Sequence, residues 1–141
     1  MARPEQWLYE RLKDYTDVTD IIGQNVYPQF APQELDPPFV TFTLRSTDRT
    51  YNTKKQDGVP RSTFDVNCWS EDFDELVTLA DAVRTAVDGY RVDDETHKIR
   101  RVFIDDETDI PDPAEWGFEE PTYGRQFVLV VSHVETVPNY T

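Results

Sequence analysis

Few side chains here can do chemistry near neutral pH. The chain carries one cysteine, Cys68, and two histidines, His97 and His133. Neither histidine has a Ser or Cys at a spacing that a catalytic triad uses, so nucleophilic catalysis has no support. His133 lies among apolar neighbours, and His97 follows Asp93, Asp94 and Glu95 in a polar turn. Cys68 is in phase with Phe64 and Val66 and reads as a small buried hydrophobe. Asp105, Glu107 and Asp109 alternate as in a calcium loop. Such a loop needs Gly at its sixth position and a bidentate Glu at its twelfth, where this chain has Ile110 and Trp116. Paired carboxylates could also hydrolyse a glycoside, but so acidic a chain offers many pairs and singles out none. The five glycines are scattered, so no phosphate-cradling loop exists. Asn139-Tyr-Thr141 matches a glycosylation acceptor, which carries no meaning without secretion. These residues predict no enzyme, no metal and no cofactor.

Composition narrows the remaining classes. The chain has 141 residues, with 28 Asp+Glu against 14 Lys+Arg and a formal net charge of −14. So negative a surface repels phosphate backbones, which argues against gripping nucleic acid through a broad basic face. Eight Phe, seven Tyr and three Trp, 13% of the chain, set it apart from aromatic-poor disordered acidic sequences. The length suits one domain, residues 1–141, able to bury about two-thirds of its unfolded surface. One cysteine excludes an internal disulfide framework. The longest unbroken apolar run, Phe127–Val131, is five residues, against the roughly 20 that a helix needs to span a bilayer. Met-Ala-Arg-Pro-Glu-Gln-Trp has no apolar core of a secretory signal, so a cytoplasmic site of assembly is expected.

The elements follow from periodicity. Pro4 suits the first turn of a helix, and Leu8, Leu12 and Tyr15 recur at helical spacing beside Trp7, predicting a helix over about 4–15. Thr16 or Asp17 is expected to cap a second short helix carrying Val18, Ile21 and Ile22, with Gly23 ending it. Four prolines between Pro28 and Pro38 predict an irregular connector. Val40, Phe42 and Leu44 alternate with polar residues, as do Phe64, Val66 and Cys68, giving two strands. Asp57-Gly58 between them signals a turn, so residues 46–61 read as a long hairpin that projects beyond the sheet. A plain surface loop is the alternative.

Phe73, Leu76, Val77, Ala80, Val83, Ala86, Val87 and Tyr90 trace one broad helical face, with Ser70 as expected N-cap and Gly89 at the left-handed C-terminal position. A short strand, Ile99–Ile104, and a longer one, Arg125–Glu135, close the chain. Phe127–Val131 is apolar on both faces, which calls for helices on one side and leaves room for another subunit on the other. Eleven of the 28 residues from 93 to 120 are acidic, and Pro111, Pro113 and Pro121 forbid a helix there; residues 105–121 are expected to be an extended acidic loop. The order α, short α, β, β, α, β, β predicts an α+β fold: an antiparallel-dominated sheet of about four strands, helices packed on one face, and a long protruding β-hairpin.

One charge asymmetry stands out. From 45 to 61 there are five basic residues, Arg45, Arg49, Lys54, Lys55 and Arg61, and two acidic ones, a net of +3 that leaves −17 on the rest. A basic arm on an acidic body suits packing of one copy's arm on the next, and head-to-tail contacts of that kind close into rings. On charge alone, a solubilising loop of chance composition serves as well.

Three blocks carry a family resemblance. The first is the opening helix with Val18-Thr-Asp-Ile-Ile-Gly23 and Val26-Tyr-Pro28. The second is Pro38-Phe-Val-Thr-Phe42, and the third is Phe64-Asp-Val-Asn-Cys-Trp-Ser70 running into Leu79-Ala-Asp-Ala-Val-Arg-Thr-Ala-Val-Asp-Gly-Tyr90. In this order they resemble the tail completion or tail terminator proteins of long-tailed bacteriophages, grouped with tail-to-head joining proteins. The resemblance covers residues 5–90 best; the acidic segment 105–121 departs from the shorter connection expected there. It implies a structural virion protein without catalytic residues: a hexameric ring that caps the tail tube, stops its polymerisation and joins the head connector. Partners would be further copies, the tube protein and connector proteins, with DNA only in transit and no membrane. Its place would be the head-proximal end of the tail. Two other readings remain, a head-side neck protein and an acidic DNA-mimic inhibitor. The arm, with Arg49, Tyr51, Lys54, Lys55 and Arg61, is the expected contact with a neighbouring subunit or the tube.

Overall fold

A computed structural model describes residues 4–32, 35–49, 60–90, 99–111 and 122–133. The first helix, α1 (Pro4–Asp14), opens on its proline and buries Trp7, Leu8 and Leu12, the expected stripe. Arg11 belongs partly to that inner side. Its Nε donates to the Ala86 carbonyl at 2.8 Å, and its guanidinium lies 4.8 Å and 4.6 Å from the Tyr15 and Tyr90 rings. The second helix, α2 (Thr16–Ile22), follows at once. Its N-cap is Tyr15, without a side-chain bond, rather than Thr16 or Asp17. The Tyr15 carbonyl already accepts from the Val18 and Thr19 amides, which leaves those two residues inside the helix. Gly23 ends it at φ +63°, a region that L side chains rarely adopt.

Among the described residues the sheet has five strands, against the four or so that the sequence predicts, and it is mixed. The unexpected member is β1 (Val26–Pro28), parallel to β2 (Phe39–Asp48) through Val26↔Val40 and Pro28↔Phe42. Three residues ending in proline carry no period-2 signal, so only the partner strand reveals β1. Antiparallel to β2 runs β3 (Arg61–Ser70), from Phe39↔Trp69 to Asp48↔Arg61, as a hairpin requires. The expected hairpin tip, residues 50–59, lies outside the described residues.

Helix α3 (Phe73–Val87) covers the inner face of the sheet. Its N-cap is Asp72, whose carboxylate accepts from the Asp74 amide at 3.0 Å, and not Ser70. Ser70 is still part of the β3 ladder opposite Tyr123, so its backbone is committed to the sheet and the cap falls two residues later. Gly89, at φ +73°, supplies the left-handed turn that the sequence predicted after the helix.

The acidic stretch required the largest correction. Strand β4 runs from Ile99 to Asp109, so residues 105–109 are sheet and not loop. A bulge between Ile104 and Asp106 adjusts the register, and the carboxylates sit on a sheet margin open to solvent. Residues 112–121 lie outside the described residues. The last strand, β5 (Tyr123–His133), inserts between β3 and β4 to give the order β1-β2-β3-β5-β4. Its apolar run divides as its periodicity requires. Phe127, Leu129 and Val131 join one core with Phe42, Phe64, Val66, Leu76, Val83, Val87 and the first two helices. Val128 and Val130 lie on the opposite face, over which no described helix packs.

On that face the Trp69 ring lies against Gly124. A Cβ on Gly124 would stand 2.6 Å from the ring of buried Trp69 and 2.9 Å from Ile110 Cδ1, so glycine is required there. The core yields a direct check. Leu129→Ala is expected to lower unfolding free energy by about 2–5 kcal/mol, read by chemical denaturation. Val83→Asp, placing a carboxylate in the same cluster, is expected to abolish soluble folded protein.

Candidate assembly surface

The five arm residues separate on the structure. Arg49 is the first residue after β2 and is half-buried; Arg61 opens β3 and is exposed opposite Asp48. Tyr51, Lys54 and Lys55 lie outside the described residues. Arg45, which contributes to the basic count, is already engaged: its guanidinium reaches Asp65 at 2.5 Å and 3.3 Å across the strand pair. The other basic residues counted in the arm are Arg49, Lys54, Lys55 and Arg61.

A buried polar group anchors the root of the arm. Thr47 Oγ1 and Ser62 Oγ are 2.9 Å apart, Ser62 Oγ lies 2.8 Å from His133 Nε2, and the His133 amide donates to the Pro60 carbonyl at 3.1 Å. The sequence reading found no serine partner for His133. Strand pairing supplies one 71 residues away, and no local motif could have revealed it. Ser62 is 0% exposed and His133 2%, so the hydroxyl is closed to substrate. The group joins β2, β3 and β5 where the arm departs.

Cys68 behaves as predicted. It is buried, and desolvation pushes its thiol from the ordinary 9.0 up to about 12, with nearby Arg125 pulling weakly the other way. The carboxylates that resembled a calcium loop have a different occupation. Arg125 Nε donates to Asp109 Oδ1 at 2.9 Å, and its Nη1 reaches Glu107 at 3.5 Å. Glu107 and Asp109 share a face because strand residues two apart do so, and the guanidinium lies between the β4 and β5 side chains.

The surface presents three aromatic features. Phe73 and Tyr123, 49% and 48% exposed, meet edge to face at 5.6 Å beside the start of α3. Phe30 is 78% exposed. It follows Gln29, a non-glycine residue at φ +70° that closes a three-residue turn from the Phe30 amide to the Pro28 carbonyl at 2.9 Å. Beside it lies a groove of about 430 Å³ between α1 and the β1–β2 edge, lined by Glu5, Tyr9, Pro28, Gln29, Phe42 and Leu44. Strained backbone and exposed aromatics gather where proteins make contacts. No described helix is long and apolar enough to cross a membrane.

These features define a class: a small α+β protein with exposed aromatics, suited to work as part of an assembly. The comparisons are more specific. The family model described as "Tail completion protein gp17" matches residues 6–118, most of the chain, and the protein belongs to that family of structural phage proteins. Its role is that of a tail-completion component of the virion. A solved chain from the "Virion of native gene transfer agent (GTA) particle" shares the fold, with a TM-score of 0.63 at 14% identity, covering 91% of this chain and 92% of that one. No curated protein matches the sequence.

Burial of Cys68 has a measurable consequence. A thiol whose folded pKa is raised binds its proton more tightly in the native state, so its contribution to stability is whole below about pH 9 and is lost as pH rises toward about 12. In native protein at pH 8 the thiol is expected to resist a thiol-specific reagent for hours and to react at once in denaturant. Prompt reaction in the native state would show that this part of the core opens.

Proposed function

We propose that the chain acts as one domain that caps the head-proximal end of the phage tail tube as a hexameric ring, ends tube polymerisation and offers a face to the head connector. The observation that carries this reading is the tail-completion family match over residues 6–118. The fold supports it. Phe30 and the Phe73–Tyr123 pair stand exposed at the surface, as a subunit that packs beside further copies needs. The excess of acidic residues suits a conduit, because a negative lumen wall keeps passing DNA from adhering. No catalytic step is part of this role.

Within the ring, residues 49–61 are the contact element. Arg49 and Arg61 flank the segment, Lys54 and Lys55 add charge, and Tyr51 supplies an aromatic surface that a solubilising loop does not need. Exposed ion pairs contribute about 0–1 kcal/mol each, so several must act together and weaken with salt.

Mass in solution together with negative-stain imaging, alone and on purified tail tubes, tests the ring; a closed dimer under both conditions refutes it. Reversal of Arg49, Lys54 and Lys55 to Glu is expected to leave the monomer folded and to prevent assembly onto tubes at low and moderate salt. Wild-type, salt-insensitive assembly by that variant would reduce the segment to a surface loop.

A further inference from the structure

Two patches of opposite charge stand at opposite ends of the sheet. The first is the Phe73–Tyr123 pair, whose rings are each about half exposed and meet edge to face at 5.6 Å. Glu71, Asp72 and Asp74 stand beside it, all exposed. The dipole of α3 accounts for carboxylates at its first turn, and Asp72 caps that turn. Neither reason accounts for two aromatic rings left at the surface among them. Apolar surface rimmed by one sign of charge suits contact with a surface of the other sign.

The second patch has that other sign. Arg61 of β3 and Arg101 of β4 both stand opposite Ser132, one on either side of β5. Ser62, Val102 and Val131, the next residue of each strand, are buried on the helical side, so Arg61, Ser132 and Arg101 share the other face. Neighbouring strands lie about 4.8 Å apart, which sets the two arginines roughly 10 Å from each other. Both are exposed, and neither forms an ion pair among the described residues. Arg100 adds a further exposed cation, and Asp48, opposite Arg61, adds one acid. The Arg101 guanidinium lies 5.5 Å from the Phe103 ring, and Phe103 pairs with Val130 on the same face, both half-buried. This patch too is apolar, with a cationic rim.

One molecule cannot join its own two patches. Tyr123 and Ser132 are nine residues apart on β5, roughly 30 Å at 3.3 Å per residue. Tyr123 is also in phase with Phe127 and Leu129, on the helical side, whereas Ser132 is on the other. Like patches repel each other, so charge disfavours a symmetric dimer through either one. Unlike patches attract, and a contact between two different surfaces is heterologous, the kind that closes a ring.

We infer that the Phe73–Tyr123 patch of one copy docks on the Arg61–Arg101 patch of the next. The rings meet Phe103 and Val130, and Glu71 and Asp74 face the two arginines. This contact rests on the proposed ring and names the two surfaces that build it.

The test uses the full chain and reads ring formation by mass in solution and negative-stain imaging. Arg61→Glu with Arg101→Glu reverses one patch; Glu71→Lys with Asp74→Lys reverses the other and keeps the Asp72 cap. Each variant alone is expected to fold and to need about tenfold more protein for half-assembly, two exposed pairs becoming repulsive. Mixed in equal amounts, the two are expected to regain wild-type assembly as rings in which they alternate, because every contact then joins opposite charges. Cations oppose the dipole at the start of α3. Where the lysine variant is poorly folded, Phe73→Gln with Tyr123→Gln removes the rings without a change of charge and is expected to weaken assembly as much. Wild-type assembly by each variant alone would overturn this contact and leave the ring standing. Failure of the mixture to assemble, with both variants folded, would overturn it equally. If wild-type protein neither forms a ring nor caps tubes, the proposed function falls and this contact falls with it.

Discussion

Insertion of β5 between β3 and β4 is the pairing on which the other contacts depend. It places Phe127, Leu129 and Val131 under α3, sets His133 against Ser62 and brings Arg125 to Glu107 and Asp109. Among the described strands β3 pairs otherwise only with β2 and β4 with none, so β5 completes the sheet in space. The tightest point of that insertion is Gly124 beneath the Trp69 ring, where the ladder allows no side chain. The strand serves both faces of the sheet at once, because Phe127, Leu129 and Val131 fill the core while Val128 and Val130 lie on the opposite face.

The helical side shows how local preference and packing agree. Asp72 caps α3, Gly23 and Gly89 turn the chain out of α2 and α3, and the buried stripe of α1 meets the C-terminal end of α3 through Arg11. That arginine places a cation at the carbonyl end of a helix, where the dipole favours it, and stacks between two tyrosines. A residue that counts as polar in a periodicity reading thus becomes part of the packing.

Much of this was legible in the sequence. The periods of α1, β2 and β3 mark faces that are buried in the structure. That of α3 does so at Leu76, Ala80, Val83, Ala86 and Val87, whereas Phe73, expected on the same face, is exposed because it starts the helix beyond the sheet's cover. The turn glycines fall where the backbone needs positive φ. What was hidden depends on distant partners. Three residues of β1 have no pattern of their own and are strand only because β2 accepts them. The acidic half of β4 reads as loop because charge and nearby prolines suggest solvent, whereas a strand on a sheet margin can keep both its ladder and its water. The Ser62–His133 contact spans 71 residues and has no local signature. The +3 charge over residues 45–61 includes Arg45, which the sheet holds against Asp65, a pairing that the charge count cannot show.

Gln29 has a consequence for how this surface can bind. Its positive φ is fixed from both sides, by its own amide on the Phe42 carbonyl at 2.7 Å and by the Phe30 amide on Pro28. Phe30 therefore stands outside the protein on a backbone that has already given up its freedom. A long flexible side chain on a loose loop surrenders both backbone and rotamer entropy when a partner immobilises it. Phe30 has only two torsions left to settle, so apolar surface buried against it is converted to affinity with little entropic loss, and a push on the ring is felt directly by the edge of the sheet.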